Sequence, residues 1–549
     1  MKIAILDGYV DEPSCLGVPP YLAPYPRYIY GMIKELGFNI LYVTIDQFRR
    51  NSELERKLEN FDLVIIIAGI AVPGKYLGGN PLSLKELKFI LKRPRKILVG
   101  PITLELDDKE KESLKNLNYE IVNYPFERKL FELLCNLLNR KDKLDMLKIE
   151  GRNFINRFAI LGAEVVKQHP DYPFIICEIE TYKGCYWRKC SFCIERIHGL
   201  PSMRDPHAVL EEISTLYEMG IRYFRLGNQT DFFTYMGDFK YEIPKPNPEF
   251  MLNFHREIWR MCPKIKTLHL DNVNPKTIAE YPEESKKIVK IIVQYQTPGN
   301  IAAMGLESAD EKVVKKNTLC ANPEEVLFAI ELINKYGKYV GYNGLPYFLP
   351  GINFVIGLMG ETKETFEKNY EFLKNLVEKG LMVRRINIRQ VKVFKETPME
   401  NIGYKNVERH KRYFKIFKEK VRREIDNPML KKIVPVGRKL TDLRCEVRRG
   451  KITFARQLAT YPLLVGVVGE FERNTFVDAR VVDYGMRSIT AVPILNVNTA
   501  KLYQLESIPG IGKHISAKIV ANRPYRSLDE LKAVVGDLFE KIKDYLTIT

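Results

Sequence analysis

The chain has 549 residues and a formal net charge of +18; 45% of its residues are hydrophobic and 28% are charged. This length predicts about three or four domains, and this composition excludes an intrinsically disordered protein. No run reaches the roughly 18 consecutive apolar residues of a membrane-spanning helix, and the first residues do not resemble a secretion signal. We therefore expect a cytoplasmic protein without a membrane partner.

The positive charge is concentrated in residues 384–456. This segment contains 23 lysines and arginines against 8 aspartates and glutamates, an excess of 15 positive charges. A local basic surface is typical of proteins that bind nucleic acid. The alternative is a solvated helix face without a ligand.

Residues 1–140 alternate short apolar runs, at 2–9, 39–45, 62–69 and 96–101, with helical patterns. This alternation predicts a doubly wound parallel sheet, whose ligands bind beyond the carboxyl ends of the strands. Those ends carry a loop with Cys15 and a later loop with Gly74, Gly78 and Gly79. Either the glycines let the backbone approach a ligand, or they belong to an ordinary surface loop.

A second α/β series occupies residues 173–400, after a helical linker at 141–172. Its six predicted strands are 174–181, 223–226, 267–270, 302–306, 353–356 and 385–393. Six strands that alternate with helices predict a partial TIM-like (β/α)6 barrel. A basic helical linker at 401–434, a small antiparallel β domain at 435–497 and a helical module at 498–549 complete the predicted fold.

Three of the nine cysteines follow the first barrel strand directly. Cys185, Cys190 and Cys193 have the spacing C-x4-C-x2-C, at the barrel end where such folds place their active sites. A structural zinc ion needs a fourth protein ligand, for which His198 is the nearest candidate. An iron–sulfur cluster held by three thiolates instead keeps one iron open. Most of the scattered cysteines are expected to be buried small apolar residues.

These motifs resemble those of the radical S-adenosylmethionine (radical SAM) enzymes, in the branch where a cobalamin-binding-like domain precedes the barrel. The cysteine run is similar to the family's C-x3-C-x2-C loop, with one additional residue in the first gap. The segments GLESA at 305–309, GLMGET at 357–362 and RINIRQ at 385–390 resemble further family motifs in the correct order.

The resemblance implies that Cys185, Cys190 and Cys193 ligate a [4Fe–4S] cluster whose fourth iron is chelated by S-adenosylmethionine. Reductive cleavage of that cofactor would release a 5′-deoxyadenosyl radical, with the electron supplied by a partner such as ferredoxin or flavodoxin. Whether the chain binds cobalamin is left open, because residues 1–140 lack the DxHxxG motif whose histidine binds cobalt in many relatives. Methylthiotransferases have three further N-terminal cysteines, whereas this chain has only Cys15 and Cys135 there.

The resemblance also suggests which residues contact the cofactor. Phe192 is placed like the aromatic residue that contacts adenine, and an amide stands where many members have a carboxylate after the second strand. Polar side chains end the later strands, and for these the alternative is ordinary barrel lining or, before Pro275, a helix N-cap. The predicted cofactor contacts are Phe192, Gly227, Asn228, Gln229, Asp271 or Asn272, Glu307, Ser308, Asn353 and Arg389.

The C-terminal segments resemble nucleic-acid-binding modules. Residues 454–494 are similar to a TRAM-like or OB-like barrel, and residues 500–549 to a helix–hairpin–helix. In such a hairpin Gly510 and Gly512 would let backbone N–H groups approach a phosphate, and Lys513 would add charge. A purely structural role for these modules is the alternative.

The leading hypothesis is a radical SAM enzyme that modifies a nucleic acid, with RNA such as tRNA favoured over DNA. One alternative is a radical enzyme that acts on a small molecule or a protein, with a structural C-terminal appendage. The other is a nucleic-acid-binding protein whose cluster is structural or redox-sensing.

Overall fold

The first part of the chain folds as a five-stranded parallel sheet in the computed structural model, which describes residues 1–10, 19–70 and 77–548. Cys15 and Gly74 lie outside the described residues. The strands in this part are β1 (Ile3–Asp7), β2 (Tyr21–Leu22), β3 (Ile40–Thr44), β4 (Leu63–Ile67), β5 (Arg95–Val99) and β6 (Tyr119–Ile121). The helices are α1 (Pro24–Glu35), α2 (Ile45–Arg50), α3 (Ser52–Leu58), α4 (Leu84–Leu87), α5 (Asp108–Lys115) and α6 (Glu127–Leu137).

The strand order β3-β1-β4-β5-β6 confirms the predicted doubly wound fold. Strands β1 and β4 are buried along their whole length, as expected for a sheet covered on both faces. The loop glycines make close contacts within the chain itself. A Cβ atom at Gly78 would overlap the Pro19 carbonyl, and one at Gly79 would overlap the Asp46 carboxylate. Packing of neighbouring loops therefore explains these two glycines.

The central barrel (residues 176–390) has six parallel strands in sequence order, preceded by α7 (Asn156–Leu161). A backbone bridge between Asn272 and Ala303 joins its two hydrogen-bonded sheets. The strands are β7 (Ile176–Glu180), β10 (Tyr223–Gly227), β11 (Thr267–Leu270), β12 (Asn300–Glu307), β13 (Phe348–Ile356) and β14 (Arg385–Gln390), with a short hairpin of β8 (Tyr182–Lys183) and β9 (Ser202–Met203). The helices are α8 (Pro206–Glu218), α9 (Pro248–Met261), α10 (Pro275–Glu280), α11 (Pro282–Tyr295), α12 (Glu311–Lys316), α13 (Pro323–Gly337) and α14 (Lys363–Glu378). This arrangement confirms the predicted partial barrel.

The small barrel (residues 439–493) is a closed sheet in the order β15-β16-β17-β19-β18. Its strands are β15 (Lys439–Arg449), β16 (Ile452–Arg456), β17 (Leu464–Val468), β18 (Phe476–Tyr484) and β19 (Ser488–Pro493), preceded by α15 (Lys405–Arg409), α16 (Lys411–Val421) and α17 (Asn427–Ile433). Its loop 457–462 contacts the third strand of the central barrel. The Thr267 hydroxyl donates to the Leu458 carbonyl at 2.6 Å, and the Thr460 amide donates to His269 Nδ1 at 3.1 Å.

The hairpin module (residues 502–547) is mainly helical and packs on the small barrel. Its helices are α18 (Leu502–Leu505), α19 (Lys513–Ala521), α20 (Leu528–Val535) and α21 (Phe539–Ile542), and β20 (Leu495–Asn496) pairs with β21 (Leu546–Thr547). Val468 and Val492 of the small barrel share a buried core with Leu505 and Ile519 of the module. None of the helices in the described ranges combines the length and the apolar character that a bilayer crossing needs.

Candidate active site

The cysteine loop (residues 184–193) leaves the central barrel at the carboxyl end of β7 and turns back on itself. Gly184 has a φ of 101°, and a Cβ atom there would lie 2.5 Å from the Leu200 carbonyl oxygen. The Cys185 amide donates to the Gly199 carbonyl at 3.1 Å, which closes the turn. Glycine is needed at position 184 because both the backbone conformation and the available space exclude a side chain.

A second segment, residues 317–320 after α12, holds the cysteine loop in place. The Ser191 amide and hydroxyl donate to the Asn317 carbonyl and side-chain oxygen at 3.0 and 2.6 Å. The Trp187 indole donates to the Thr318 carbonyl at 2.8 Å. Ser191 and Asn317 are both buried, so these hydrogen bonds are shielded from water. The loop is therefore preformed by contacts with a distant part of the chain.

The three predicted cluster ligands share one electrostatic environment. Burial raises the pKa of the Cys190 thiol well above its usual range, and the neighbouring charges of Cys193, Cys320 and Cys185 add to this effect. Iron binding must therefore release the thiol protons. Within the ranges that the structure describes, no three histidine, cysteine or acidic side chains are close enough to hold a single metal ion.

His198, the proposed fourth ligand of a zinc ion, has a hydrogen-bond partner away from the cysteine loop. His198 Nε2 is hydrogen-bonded to the Tyr124 hydroxyl at 3.0 Å, in contact with the first part of the chain. Burial lowers the pKa of His198 to about 3, so the ring is neutral. A donor set of three thiols without this histidine fits an iron–sulfur cluster better than a closed zinc site.

A fourth thiol lies beside the cysteine loop and was not predicted from the sequence. Cys320 is half-buried, and its Sγ lies 3.9 Å from the hydroxyl of Tyr186, the residue that follows Cys185. The Asn274 amide donates to the same sulfur at 3.3 Å. By contrast, Cys135, Cys177, Cys262 and Cys445 are buried as expected. Only the position of Cys320 in a loop after the fourth barrel strand could have indicated its place near the site.

Glu307 is the second notable group at this end of the barrel. It ends β12 with a φ of 60°, at a register shift in the pairing with β13. Its Oε2 atom is shielded from solvent and has no hydrogen-bond partner among the described residues. Burial raises the pKa of Glu307 to about 8, and the charge of Arg389 partly opposes this shift. A buried acceptor without a donor fits a ligand that carries N–H groups, such as an amino acid moiety.

The residues after β10 make contacts with neighbouring strands. A Cβ atom at Gly227 would overlap the Glu178 carboxylate, and Asn228, with a φ of 60°, accepts a hydrogen bond from Lys183. Gln229 is buried and accepts from the Thr181 hydroxyl at 3.3 Å. The amide side chains thus stand at the carboxyl end of the barrel as predicted. Their role as cofactor contacts stays a prediction.

Asp271 is engaged in the interior of the barrel. Its carboxylate forms an ion pair with Arg225 and accepts a hydrogen bond from the Tyr461 hydroxyl at 2.7 Å. The helix N-cap before Pro275 is Asn274, which accepts from the Lys276 amide, so Asp271 is not the cap. Tyr461 belongs to the loop 457–462 of the small barrel, and no local sequence signal indicates that it enters the central barrel.

The remaining predicted contacts lie on the last three strands and in the loop. Asn353 accepts from Asn387 at 3.1 Å across neighbouring strands, and Ser308 is buried with its hydroxyl near Asn369. Phe192 is half-buried and packs with Cys190 against an apolar cluster that includes Leu358. These side chains surround the same end of the barrel as the cysteine loop.

The predicted phosphate-binding hairpin is open to solvent. Gly510, Gly512 and Lys513 are exposed, while Ile511 between them is buried as an anchor. Gly512 is the N-cap of α19 and supplies no side chain to its first amides, and a Cβ atom there would meet nothing within 4 Å. The start of α19 therefore has the free N–H groups that a phosphate requires.

Comparison with known proteins identifies the central part of the chain. The model of the radical SAM superfamily matches residues 179–373, and that of the helix–hairpin–helix motif matches residues 491–547. The chain thus contains a radical SAM domain. A radical SAM protein of this kind is an enzyme with a [4Fe–4S] cluster and S-adenosylmethionine, which supply radical chemistry when bound.

Two similar proteins match nearly the whole length of this chain. An uncharacterized protein of Archaeoglobus fulgidus is 61% identical over 538 residues, covering 98% of each chain. An uncharacterized protein of Methanocaldococcus jannaschii is 45% identical over 514 residues, covering 90% of this chain and 94% of its own. The ribosomal protein uS12 methylthiotransferase RimO of Phocaeicola vulgatus is 25% identical over 237 residues, or 42% of this chain and 47% of its own.

A tRNA-2-methylthio-N(6)-dimethylallyladenosine synthase of Treponema pallidum is 22% identical over 311 residues, covering 54% of this chain and 61% of its own. Among solved structures, the radical S-adenosylmethionine methyltransferase TsrM of Kitasatospora setae, with cobalamin and a [4Fe-4S] cluster bound, has a TM-score of 0.48 at 14% identity. That similarity covers 73% of this chain and 74% of TsrM.

Proposed function

We propose that this radical SAM enzyme modifies an RNA that is held by the hairpin module. The observation that carries the proposal is the open start of α19, where Gly512 leaves the first helical amides uncapped beside the exposed Lys513. Such a helix start binds phosphate without reading sequence. The basic residues 384–456 add a wider positive surface, which would attract a polyanion.

Two relatives support a macromolecular substrate. The similar Treponema pallidum enzyme is named for a tRNA product, whereas RimO is named for a ribosomal protein. The hairpin favours the first of these substrate classes, because a phosphate-binding helix start has no evident use on a protein. A protein substrate is the alternative, with the appendage then serving assembly.

We also propose roles for individual residues at the reaction centre. Cys185, Cys190 and Cys193 would hold the cluster, and the unpartnered Glu307 oxygen would accept from the amino group of S-adenosylmethionine. A small electron carrier such as ferredoxin or flavodoxin would reduce the cluster. Cobalamin, if bound at the first sheet, would lack a DxHxxG histidine ligand.

The segment boundaries at 140, 172, 400, 434 and 497 are proposed as domain boundaries.

The proposal is tested by RNA binding and by RNA chemistry. Fluorescence anisotropy would compare a tRNA pool with duplex DNA between about 50 and 200 mM salt, where phosphate contacts give a steep loss of affinity. The Lys513→Glu variant should bind more weakly and reduce the salt slope by about one. Nucleoside mass spectrometry of RNA incubated with reconstituted enzyme, reductant and S-adenosylmethionine would then reveal the modification.

A matched control is Lys541→Glu, which changes an exposed lysine on α21 of the same module. We expect this variant to bind RNA nearly as the wild type does. Equal weakening by both substitutions would indicate general electrostatics rather than a hairpin site. Absence of RNA binding by the wild-type protein would refute the proposal and favour a protein substrate.

A further inference from the structure

The charges of three other thiols, those of Cys193, Cys320 and Cys185, act on Cys190, although the cluster loop itself supplies only three cysteines in all. The segment 317–320 is fixed along that loop by the hydrogen bonds of Ser191 and Trp187, and this places Cys320 next to Tyr186. The position of Cys320 therefore follows from the same contacts that shape the loop. The backbone around Cys320, and not only its side-chain conformation, is therefore held next to the cysteine loop.

Two effects act on the Cys320 thiol in opposite directions: burial raises its pKa to about 12, and the hydrogen bond from Asn274 partly opposes this shift. Binding of this sulfur to iron, like binding of the other three, must therefore displace the thiol proton. The Asn274 side chain donates an N–H to its sulfur at 3.3 Å, and Asn274 is itself fixed as the N-cap of α10. A hydrogen bond to sulfur stabilises the charged form of a thiol. Cys320 is half-buried, so the sulfur is shielded while solvent can still carry its proton away.

Glu307 is a second group whose charge acts on the cysteine loop. Glu307 Oε2 is shielded from water and has no hydrogen-bond partner among the described residues, and both the Cys320 and the Glu307 charges act on Cys190. An unpaired carboxylate oxygen facing the thiols indicates that a ligand completes this space. Before that ligand enters, the open iron would have two protein donors nearby that are not part of the cysteine loop, the Glu307 carboxylate and the Cys320 thiol. Of these, a thiolate is the usual ligand of cluster iron.

We propose that Cys320 is an exchangeable fourth ligand, which binds the open iron of the cluster while S-adenosylmethionine is absent. An iron–sulfur bond forms to the Cys320 thiolate, and the thiol proton goes to solvent. When S-adenosylmethionine arrives, its amino and carboxylate groups replace the thiolate, which takes up a proton again. No electron is transferred in this exchange, and it is independent of whether the substrate is RNA.

The exchange has a measurable cost for cofactor binding. A ligand that competes for the iron lowers the apparent affinity for S-adenosylmethionine by the fraction of molecules in which the iron is free. If Cys320 caps the iron in about 90% of the molecules, removing it should tighten the apparent Kd about tenfold. The cap should also protect the fourth iron from oxidative loss.

The test uses the full-length protein with a reconstituted cluster. Wild type, Cys320→Ala and the control Cys262→Ala, which alters a buried cysteine at the end of α9, are treated with one equivalent of ferricyanide. Electron paramagnetic resonance then detects three-iron clusters. We expect them in Cys320→Ala alone, and we expect added S-adenosylmethionine to suppress them. The Kd for S-adenosylmethionine is measured on the same samples by equilibrium dialysis.

Equal iron loss and equal Kd values in wild type and Cys320→Ala would overturn the proposal. If the alanine variant does not hold a cluster, Cys320→Ser keeps the volume and replaces the sulfur by a weaker iron donor. Iron K-edge absorption of the wild type without cofactor gives an independent reading. A first coordination shell with an oxygen or nitrogen neighbour, rather than sulfur alone, would also contradict a fourth thiolate.

Discussion

A buried ion network joins the first sheet to the central barrel, and its central residue is Glu212 on α8. The Glu212 carboxylate binds Arg27 Nε of α1 at 3.0 Å and Arg204 Nη1 at 2.7 Å. All three side chains are 0% exposed. The Glu212 carboxylate thus compensates two guanidinium groups that have lost contact with water, and the charge of Glu180 also acts on Arg204.

The Glu212→Gln substitution preserves the shape but removes the charge. Removing one partner of a buried ion pair costs about 3–5 kcal/mol, because the remaining charge stays desolvated without compensation. Here two arginines depend on the same carboxylate, although the Glu180 carbonyl also accepts from Arg204 at 2.9 Å. We therefore expect a loss within this range, which corresponds to a reduction of the folding equilibrium constant by a factor of at least about 100.

Denaturant unfolding followed by circular dichroism would measure this loss, provided that the transition slope is unchanged. Glu211→Gln is a matched control, because Glu211 is the adjacent exposed residue and should change the free energy of unfolding by no more than about 0.5 kcal/mol. A loss below about 1 kcal/mol for Glu212→Gln would refute the reasoning, since it would mean that water reaches the arginines.

Three further substitutions test other parts of the molecule. Cys190→Ala should abolish iron binding and visible absorbance after reconstitution, whereas Cys262→Ala should retain both. Burial lowers the pKa of His255 to about 4 from 6.5, so its contribution to stability is complete above pH 6.5 and is lost as the pH falls towards 4. His255→Gln should flatten the decline of stability in that window, and an unchanged pH profile would contradict the assignment. Tyr461→Phe removes a hydrogen bond to the Asp271 carboxylate and should cost about 1.5–3 kcal/mol in denaturant unfolding; an unchanged midpoint would count against it.

The sequence predicts most of the central barrel because its strands and helices have distinct local periods. The third predicted strand coincides with β11, and the second differs from β10 by one residue. Strand β13 begins at Phe348, five residues before the predicted start, because Pro350 and Gly351 resemble a turn. Pro350 is tolerated there since pairing with β14 begins only at Gly351, so no hydrogen bond to that neighbour is lost.

The parts of the site that the sequence did not predict depend on long-range contacts. Cys320 is 127 residues beyond Cys193 along the chain and has no ligand spacing to mark it. Tyr461 belongs to a different barrel, and the strand β2 adds only two residues to the edge of β7. Motif spacing detects ligands that one loop supplies, and it does not detect a group that the tertiary fold brings to that loop.

The small barrel links the hairpin to the reaction centre as a rigid support. Tyr461 of its loop 457–462 is hydrogen-bonded to Asp271 inside the central barrel, and its ring lies 3.8 Å from the Arg385 guanidinium. On its other side, the small barrel shares a buried core with the hairpin module. Because packed interfaces of this kind resist sliding, the proposed RNA phosphate site at Gly512 would lie at a fixed distance from the cysteine loop. Such a fixed distance favours modification of one defined nucleotide over repeated reaction along a strand.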